Sequence, residues 1–109
     1  MSQWEVIYTE QAEEDLRGIY QYIAFELKEE QTAENMYYTI ADTIDKLDSN
    51  PFTYAPYPKE PWFSMGLRKI PIKNYLCFYL PTEKNMSVNI LRIIYGKRDI
   101  EPLLQEIEW

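Results

Sequence analysis

Apolar residues along this chain follow two periods, and the changes from one to the other mark out its elements. Trp4, Val6 and Tyr8 alternate with Gln3, Glu5 and, less regularly, Ile7. This is the two-residue period of a half-buried strand, predicted over residues 3–8 and expected at a sheet edge. From Thr9 the spacing lengthens: Ala12, Leu16, Ile19, Ile23 and Leu27 recur at steps of three and four, which draws one apolar stripe on a helix over 10–27. Thr9 is a candidate N-cap, and Glu10, Glu13, Glu14 and Asp15 place negative charge at the positive end of the helix dipole. After a polar turn at 28–31, Ala33, Met36, Ile40, Ile44 and Leu47 repeat the stripe over 32–47. Ser49-Asn50-Pro51 ends it, because the residue before proline is pushed out of the helical region. Two amphipathic helices joined by so short a loop form an antiparallel hairpin.

Prolines 51, 56, 58 and 61 punctuate the next stretch, with Phe52, Tyr54, Tyr57, Trp62 and Phe63 between them. It reads as an irregular crossing whose aromatics either plug one end of the core or offer a stiffened surface for a partner or for stacked bases. Three short apolar runs follow at 67–72, 75–80 and 88–95, separated by Lys73-Asn74 and by 81–85, and they predict three consecutive antiparallel strands. The last two are almost continuously apolar, as in strands covered on both faces or on one face plus a partner. Asp99 is placed to cap a short final helix over 100–107, with Pro102 tolerated in its first turn. The sum is an α+β fold in a single domain spanning 1–109, with a two-helix antiparallel hairpin on one face of a mostly antiparallel four-stranded sheet. The other face of the three-stranded meander is expected to stand open to a partner, with Arg68, Lys69, Lys73, Arg92 and Arg98 on or around it.

Composition removes several functions. The 109 residues suffice for one core, and 46% hydrophobic with 27% charged residues describes a folded chain. No apolar run approaches the roughly 20 residues of a membrane span, and no basic stretch leads into an apolar one at the N-terminus. With one cysteine, Cys77, a cytoplasmic address without membrane contact is expected. Histidine is absent, which excludes Ser-His-Asp and Cys-His nucleophile pairs and histidine-ligated zinc. No metal or cofactor is expected, and any catalysis must draw on Lys, Arg, Tyr or carboxylates. The net charge of −7 is unevenly spread. Residues 1–58 carry twelve acidic and three basic side chains, whereas residues 59–98 carry two acidic and eight basic. Such a localised positive field can steer a polyanion to one side of an acidic body.

At this point the chain resembles a known group. V-x-Y-T at Val6 to Thr9, A-x-x-D-L at Ala12 to Leu16, the pair Tyr22-Ile23 and the L-x-x-x-P ending at Leu47 and Pro51 come in order. They are followed by G-L-R at Gly66 to Arg68, N-Y-x-x-F-Y at Asn74 to Tyr79 and G-K-R-D at Gly96 to Asp99. Together they resemble the RelE/ParE superfamily, the toxins of type II toxin–antitoxin (plasmid stabilisation) modules. The resemblance implies a growth inhibitor neutralised by a cognate antitoxin protein, as a homodimer or as a toxin–antitoxin hetero-oligomer.

Two targets follow from it, DNA gyrase for the ParE-like branch, slightly favoured here, and ribosome-bound mRNA for the nuclease branch; a degenerate, non-toxic relative acting as an interaction module is the third reading. Whether the chain is an enzyme stays open. A metal-independent endoribonuclease needs a base for the 2′-hydroxyl, cations for the phosphate and an acid for the leaving oxygen. The resemblance places Arg98 as a phosphate-binding arginine, with Arg68 or Lys69 where the family's basic strand residues lie. Tyr95, where many relatives carry histidine, is the candidate for proton transfer. Two positions depart from the nuclease pattern: Leu76 follows the Asn74-Tyr75 pair where an arginine is usual, and Leu103 or Leu104 stands where a C-terminal tyrosine would be.

Overall fold

The pairing of the last strand with the first closes the sheet. The computed structural model describes residues 3–109. Strand β1 (Glu5–Tyr8) leads into helix α1 (Glu10–Gln21), which runs on through one wider π turn (Tyr22–Glu26). Helix α2 (Glu30–Asp45) follows and tightens into a 3-10 turn at Lys46–Asp48. Beyond the crossing come a single turn of helix, α3 (Trp62–Met65), then β2 (Arg68–Ile72), β3 (Tyr75–Thr82), β4 (Ser87–Tyr95) and a short α4 (Ile100–Gln105). The strands lie in the order β1-β4-β3-β2. β2, β3 and β4 form the expected antiparallel meander, and β1 joins at the edge parallel to β4, Val6 opposite Val88. The α+β fold read from the sequence is the fold observed. The first strand starts two residues later than its alternation suggested, and β3 carries on through Pro81 to Thr82.

Thr9 does what its position promised and more. Its Oγ1 accepts the Ala12 N–H at 3.1 Å, capping α1, and its hydroxyl donates to the Ile90 carbonyl at 2.9 Å. One side chain therefore starts the helix and ties that start to β4, which sets how α1 lies across the sheet. Asp99 occupies the N-cap position of α4, but its side chain makes no capping hydrogen bond.

Alternate residues of a strand point to opposite faces, and here both faces are covered by the chain itself. Against the helix hairpin, Ala12, Leu16, Ile40 and Ile44 pack on Ile70, Cys77, Tyr79, Ile90 and Ile93. On the opposite face, Leu67, Phe78 and Ile94 are buried beneath Trp62 and Leu104, with Tyr57, Ile100 and Leu103 at the margin. The expectation of an open second sheet face is thus overturned. The proline-rich crossing does the covering by wrapping the edge of β2. On the helix side Pro51 accepts the buried Tyr79 hydroxyl at 2.7 Å, at the edge the Tyr57 N–H donates to Leu67 at 2.8 Å, and on the far side Trp62 meets the second core. Trp62 is buried and Tyr57 partly so, the plainer, core-plugging role, whereas Phe52, Tyr54 and Phe63 stay exposed along the crossing.

Arg92 also leaves the basic surface where the sequence reading placed it. β1 ends opposite Ile90, so β4 has an uncovered edge beyond it. Asp15 of α1 fills that edge. Its carboxylate accepts the Arg92 Nε–H at 2.8 Å and the Ile93 backbone N–H at 2.9 Å, and both side chains of the pair are only 10% exposed. The arginine is bound internally and is not available to a ligand.

Candidate functional site

The end of the sheet where β4 stops is built by a hairpin and a turn held together through one glycine. The Lys73-Asn74 hairpin returns the chain into β3, and the Gly96 N–H donates to the Asn74 carbonyl at 2.8 Å. A β-carbon on Gly96 would stand 3.2 Å from that oxygen, so the close approach is suited to a residue without one. The Arg98 N–H then folds back onto the Tyr95 carbonyl at 3.0 Å, which leaves Lys73, Lys97 and Arg98 exposed around one end of the sheet.

Beside these cations lies a cleft of about 800 Å³ between the π turn and the ends of β3 and β4. Ile19, Ile23 and Met36 form its apolar floor; Tyr75, Tyr95 and Arg98 form the sheet-side wall. The helical wall exposes apolar surface: Tyr22 is 56% and Leu27 51% exposed where they line the cleft. Tyr22 opens the π turn and Leu27 follows it, and such turns recur at functional sites. Tyr75 and Tyr95 meet edge to face with ring centroids 5.7 Å apart. Burial, and then the neighbouring Tyr95 and Tyr22, push the Tyr75 hydroxyl above the ordinary phenol range. The site therefore combines an apolar trough, a ring cluster and Arg98 at a cationic sheet end, with the carboxylates of Glu14 and Asp15 on the helical wall.

Of the four candidates from the sequence, Tyr95 and Arg98 share this cleft. Arg68 and Lys69 do not. They stand at the opposite end of β2, four and three residues before Ile72, or roughly 13 and 10 Å along the strand. They also face opposite ways, Arg68 opposite Tyr79 on the helix side and Lys69 opposite Phe78 on the other. Arg68 donates to the Tyr54 carbonyl and lies over Phe52 with its guanidinium carbon 4.9 Å from the ring centroid. The Lys69 ammonium sits 5.4 Å from the Tyr57 ring centroid. Both cations thus brace the crossing. Arg98 has no ion-pair partner among the described residues; Glu101, one carboxylate within its reach in sequence, is taken by Lys59 at 2.7 Å. Sequence reasoning missed Tyr22 and Tyr75 as site-forming residues, although both belong to short motifs it quoted. It also treated Lys97 only as part of G-K-R.

The comparisons agree with this architecture. Residues 6–100 match the family model described as the ParE toxin of the type II toxin–antitoxin system parDE, and the chain belongs to that family. Its fold is similar to that of a chain in the chromosomal ParDE toxin–antitoxin system from P. aeruginosa (21% identity, TM-score 0.71, 86% of this chain and 97% of that one). It is similar also to a chain of the RelBE2 toxin–antitoxin complex from Mycobacterium tuberculosis (17% identity, TM-score 0.64, 84% and 96%). A third likeness is to a double arginine-to-alanine mutant of the E. coli toxin RelE in the free state (12% identity, TM-score 0.67, 97% and 94%). No curated protein sequence matches the chain. Among the described residues no helix is long and apolar enough to cross a membrane.

Proposed function

We propose that this chain acts as the toxin half of a type II toxin–antitoxin pair, inhibiting growth in the cytoplasm through DNA gyrase until a cognate antitoxin covers it. Family membership supports the toxin reading. The observation that favours gyrase over mRNA is the separation of the cations: a metal-independent cut needs a base, an acid and phosphate-holding charges around one phosphate. Here Arg68 and Lys69 are a strand's length from Tyr95 and Arg98, and each is engaged with the crossing. Of the four candidates that leaves Tyr95 and Arg98 in the cleft, beside Tyr22 and Tyr75. A phenol with a reference pKa near 10 is a poor base at neutral pH.

The cleft is the surface that suits an antitoxin segment. Its apolar trough would take the buried side of an acidic-apolar stretch while Lys73, Lys97 and Arg98 neutralise the charge, so a disordered tail would order on binding. Induction of the gene in a bacterium, with and without the small gene next to it, tests the toxin reading by growth. Two further assays on the same cells separate the targets. Trapped gyrase–DNA complexes with intact transcripts are the expected result, whereas codon-related cuts on primer extension with unaffected gyrase would replace this reading by the ribosome-dependent nuclease. Unimpaired growth with verified soluble protein would leave a degenerate, non-toxic relative.

A further inference from the structure

The outer side of the helix hairpin holds a second concavity, unconnected with the cleft described above. It is a groove of about 670 Å³ between α1 and α2, and four of its lining residues are tyrosines. Tyr20 and Tyr37 meet edge to face at 6.4 Å, and Tyr37 and Tyr38 at 5.6 Å, so three rings run in series across the two helices. Tyr38 is 62% exposed, far more than its size requires for packing. Tyr8 from β1 closes one end.

The charge around these rings has one predominant sign. Glu13, Glu34 and Asp45 line the groove, and none of them has an ion-pair partner among the described residues. Arg17 is the single cation in the lining. The field reaches inside: burial, and after it the charge of Asp45, push the Tyr8 hydroxyl above the ordinary phenol range. Across residues 10–48 there are eleven acidic and three basic side chains, so the local charge is backed by the whole hairpin. Ring faces carry negative potential and attract cations, most strongly planar guanidinium groups that can also stack. Unpaired carboxylates beside them add charge-assisted hydrogen bonds to the same group.

We infer that the tyrosine-lined groove between α1 and α2 is a docking site for an arginine-bearing, basic peptide segment of a partner protein, one guanidinium lying among Tyr20, Tyr37 and Tyr38 and paired with Glu34 or Asp45. The two concavities then accept opposite chemistries, an acidic-apolar segment at the sheet end and a basic one on the hairpin. The second does not depend on the first or on the toxin reading, because it follows from rings and charges on another face.

The test uses the full-length protein and a labelled seven-residue peptide of alternating arginine and alanine, followed by fluorescence anisotropy at two salt concentrations. Its lysine and glutamate counterparts are the comparison probes. Saturable binding of the arginine peptide is expected, tighter than the lysine peptide by threefold or more, with none for the glutamate peptide. Tyr38→Ala, and separately the pair Glu34→Gln/Asp45→Asn, should each weaken it at least fivefold with an unchanged circular dichroism spectrum. The pair Glu83→Gln/Glu106→Gln makes the same change in net charge away from the groove and should leave binding within twofold. Equal loss in the two charge pairs would show diffuse attraction to an acidic body and would overturn the proposal, as would full binding by Tyr38→Ala. Equal affinity for the arginine and lysine peptides would remove the guanidinium from it.

Discussion

Asp15 and Arg92 lie 77 residues apart in sequence and face each other across 2.8 Å at the uncovered edge of β4, where the same carboxylate also holds the Ile93 N–H. Removing the acid strands a buried guanidinium and an edge N–H together. Asp15→Ala should therefore cost about 3 kcal/mol of stability, the loss typical of breaking a buried pair on one side. Asp15→Leu combined with Arg92→Leu should cost clearly less than the sum of the single changes, because no charge is left unpaired. Urea unfolding of the three variants measures this; additive losses would mean that the two side chains act independently.

Alkaline pH should loosen the fold, while the interval just above neutrality leaves it level. Burial first of all pushes the Tyr8, Cys77 and Tyr79 pKa values upwards in the folded state, suppressing their ionisation. In the unfolded chain the thiol and phenols lose their protons at about 8.5 and about 10. The unfolded state therefore releases protons first, and stability, complete below the unfolded values, falls as pH rises above them. With no histidine in the chain, no imidazole titrates between them and the carboxylates. The urea midpoint should be level from about pH 7 to 8 and decline from about pH 9 upwards. A midpoint that climbs above pH 9 would contradict the burial of these three groups.

Two glycines should respond in opposite directions. Gly18 sits inside α1 with nothing within 4 Å of an added β-carbon, so Gly18→Ala should raise stability by roughly 0.5–1 kcal/mol through helix propensity alone. At Gly96 the added carbon meets the Asn74 carbonyl, and Gly96→Ala should lower the melting temperature and displace Arg98. Since Gly18 also lines the cleft, its alanine variant is expected to be more stable yet weaker towards an antitoxin segment. Thermal scans and a titration with the neighbouring gene's product provide both readings.

Reversing charge separately at the two arginines distinguishes the lip of the cleft from the brace of the crossing. Arg98→Glu should weaken antitoxin binding tenfold or more and flatten its salt dependence, because Arg98 borders the cleft and is unpaired. Arg68→Glu should instead reduce stability, by loss of its hydrogen bond to Tyr54 and its stacking on Phe52, and change affinity little. If the two variants lose affinity equally at equal stability, the binding surface extends over β2.

Local patterns carried most of the fold. The steps of three and four placed both helices, Thr9 was recognisable as a cap from its position before the acidic turn, and the apolar runs located the meander. The continuous apolar character of β3 and β4 was a correct sign of burial on two faces, yet it could not say what covered the second one. That depended on Trp62 and Leu104, which lie in a proline-rich stretch and a six-residue helix whose periodicity is too short to read. Arg68 and Lys69 adjoin in sequence and were read as one site, but a strand sends neighbours to opposite faces. Arg92 counted as a surface cation because its partner, Asp15, lies 77 residues away and nothing local reveals the pairing. Leu27 belonged to the expected stripe yet is exposed just past the π turn, an irregularity that no local pattern announces.

The central position of β4 has a bearing on the order in which the chain can acquire its structure during synthesis. β1 precedes the other elements and pairs only with β4, the last of the strands, so the register of Val6 on Val88 waits for the helices and the other two strands to be made. Closing so long a loop is slow compared with forming the helix hairpin, whose contacts are local. Until residue 95 is available, the apolar stripes of α1 and α2 have no complete sheet to cover and the cleft at the sheet end lacks its sheet-side wall. Any activity that needs the finished cleft therefore waits for β4, long after the helix hairpin has been made.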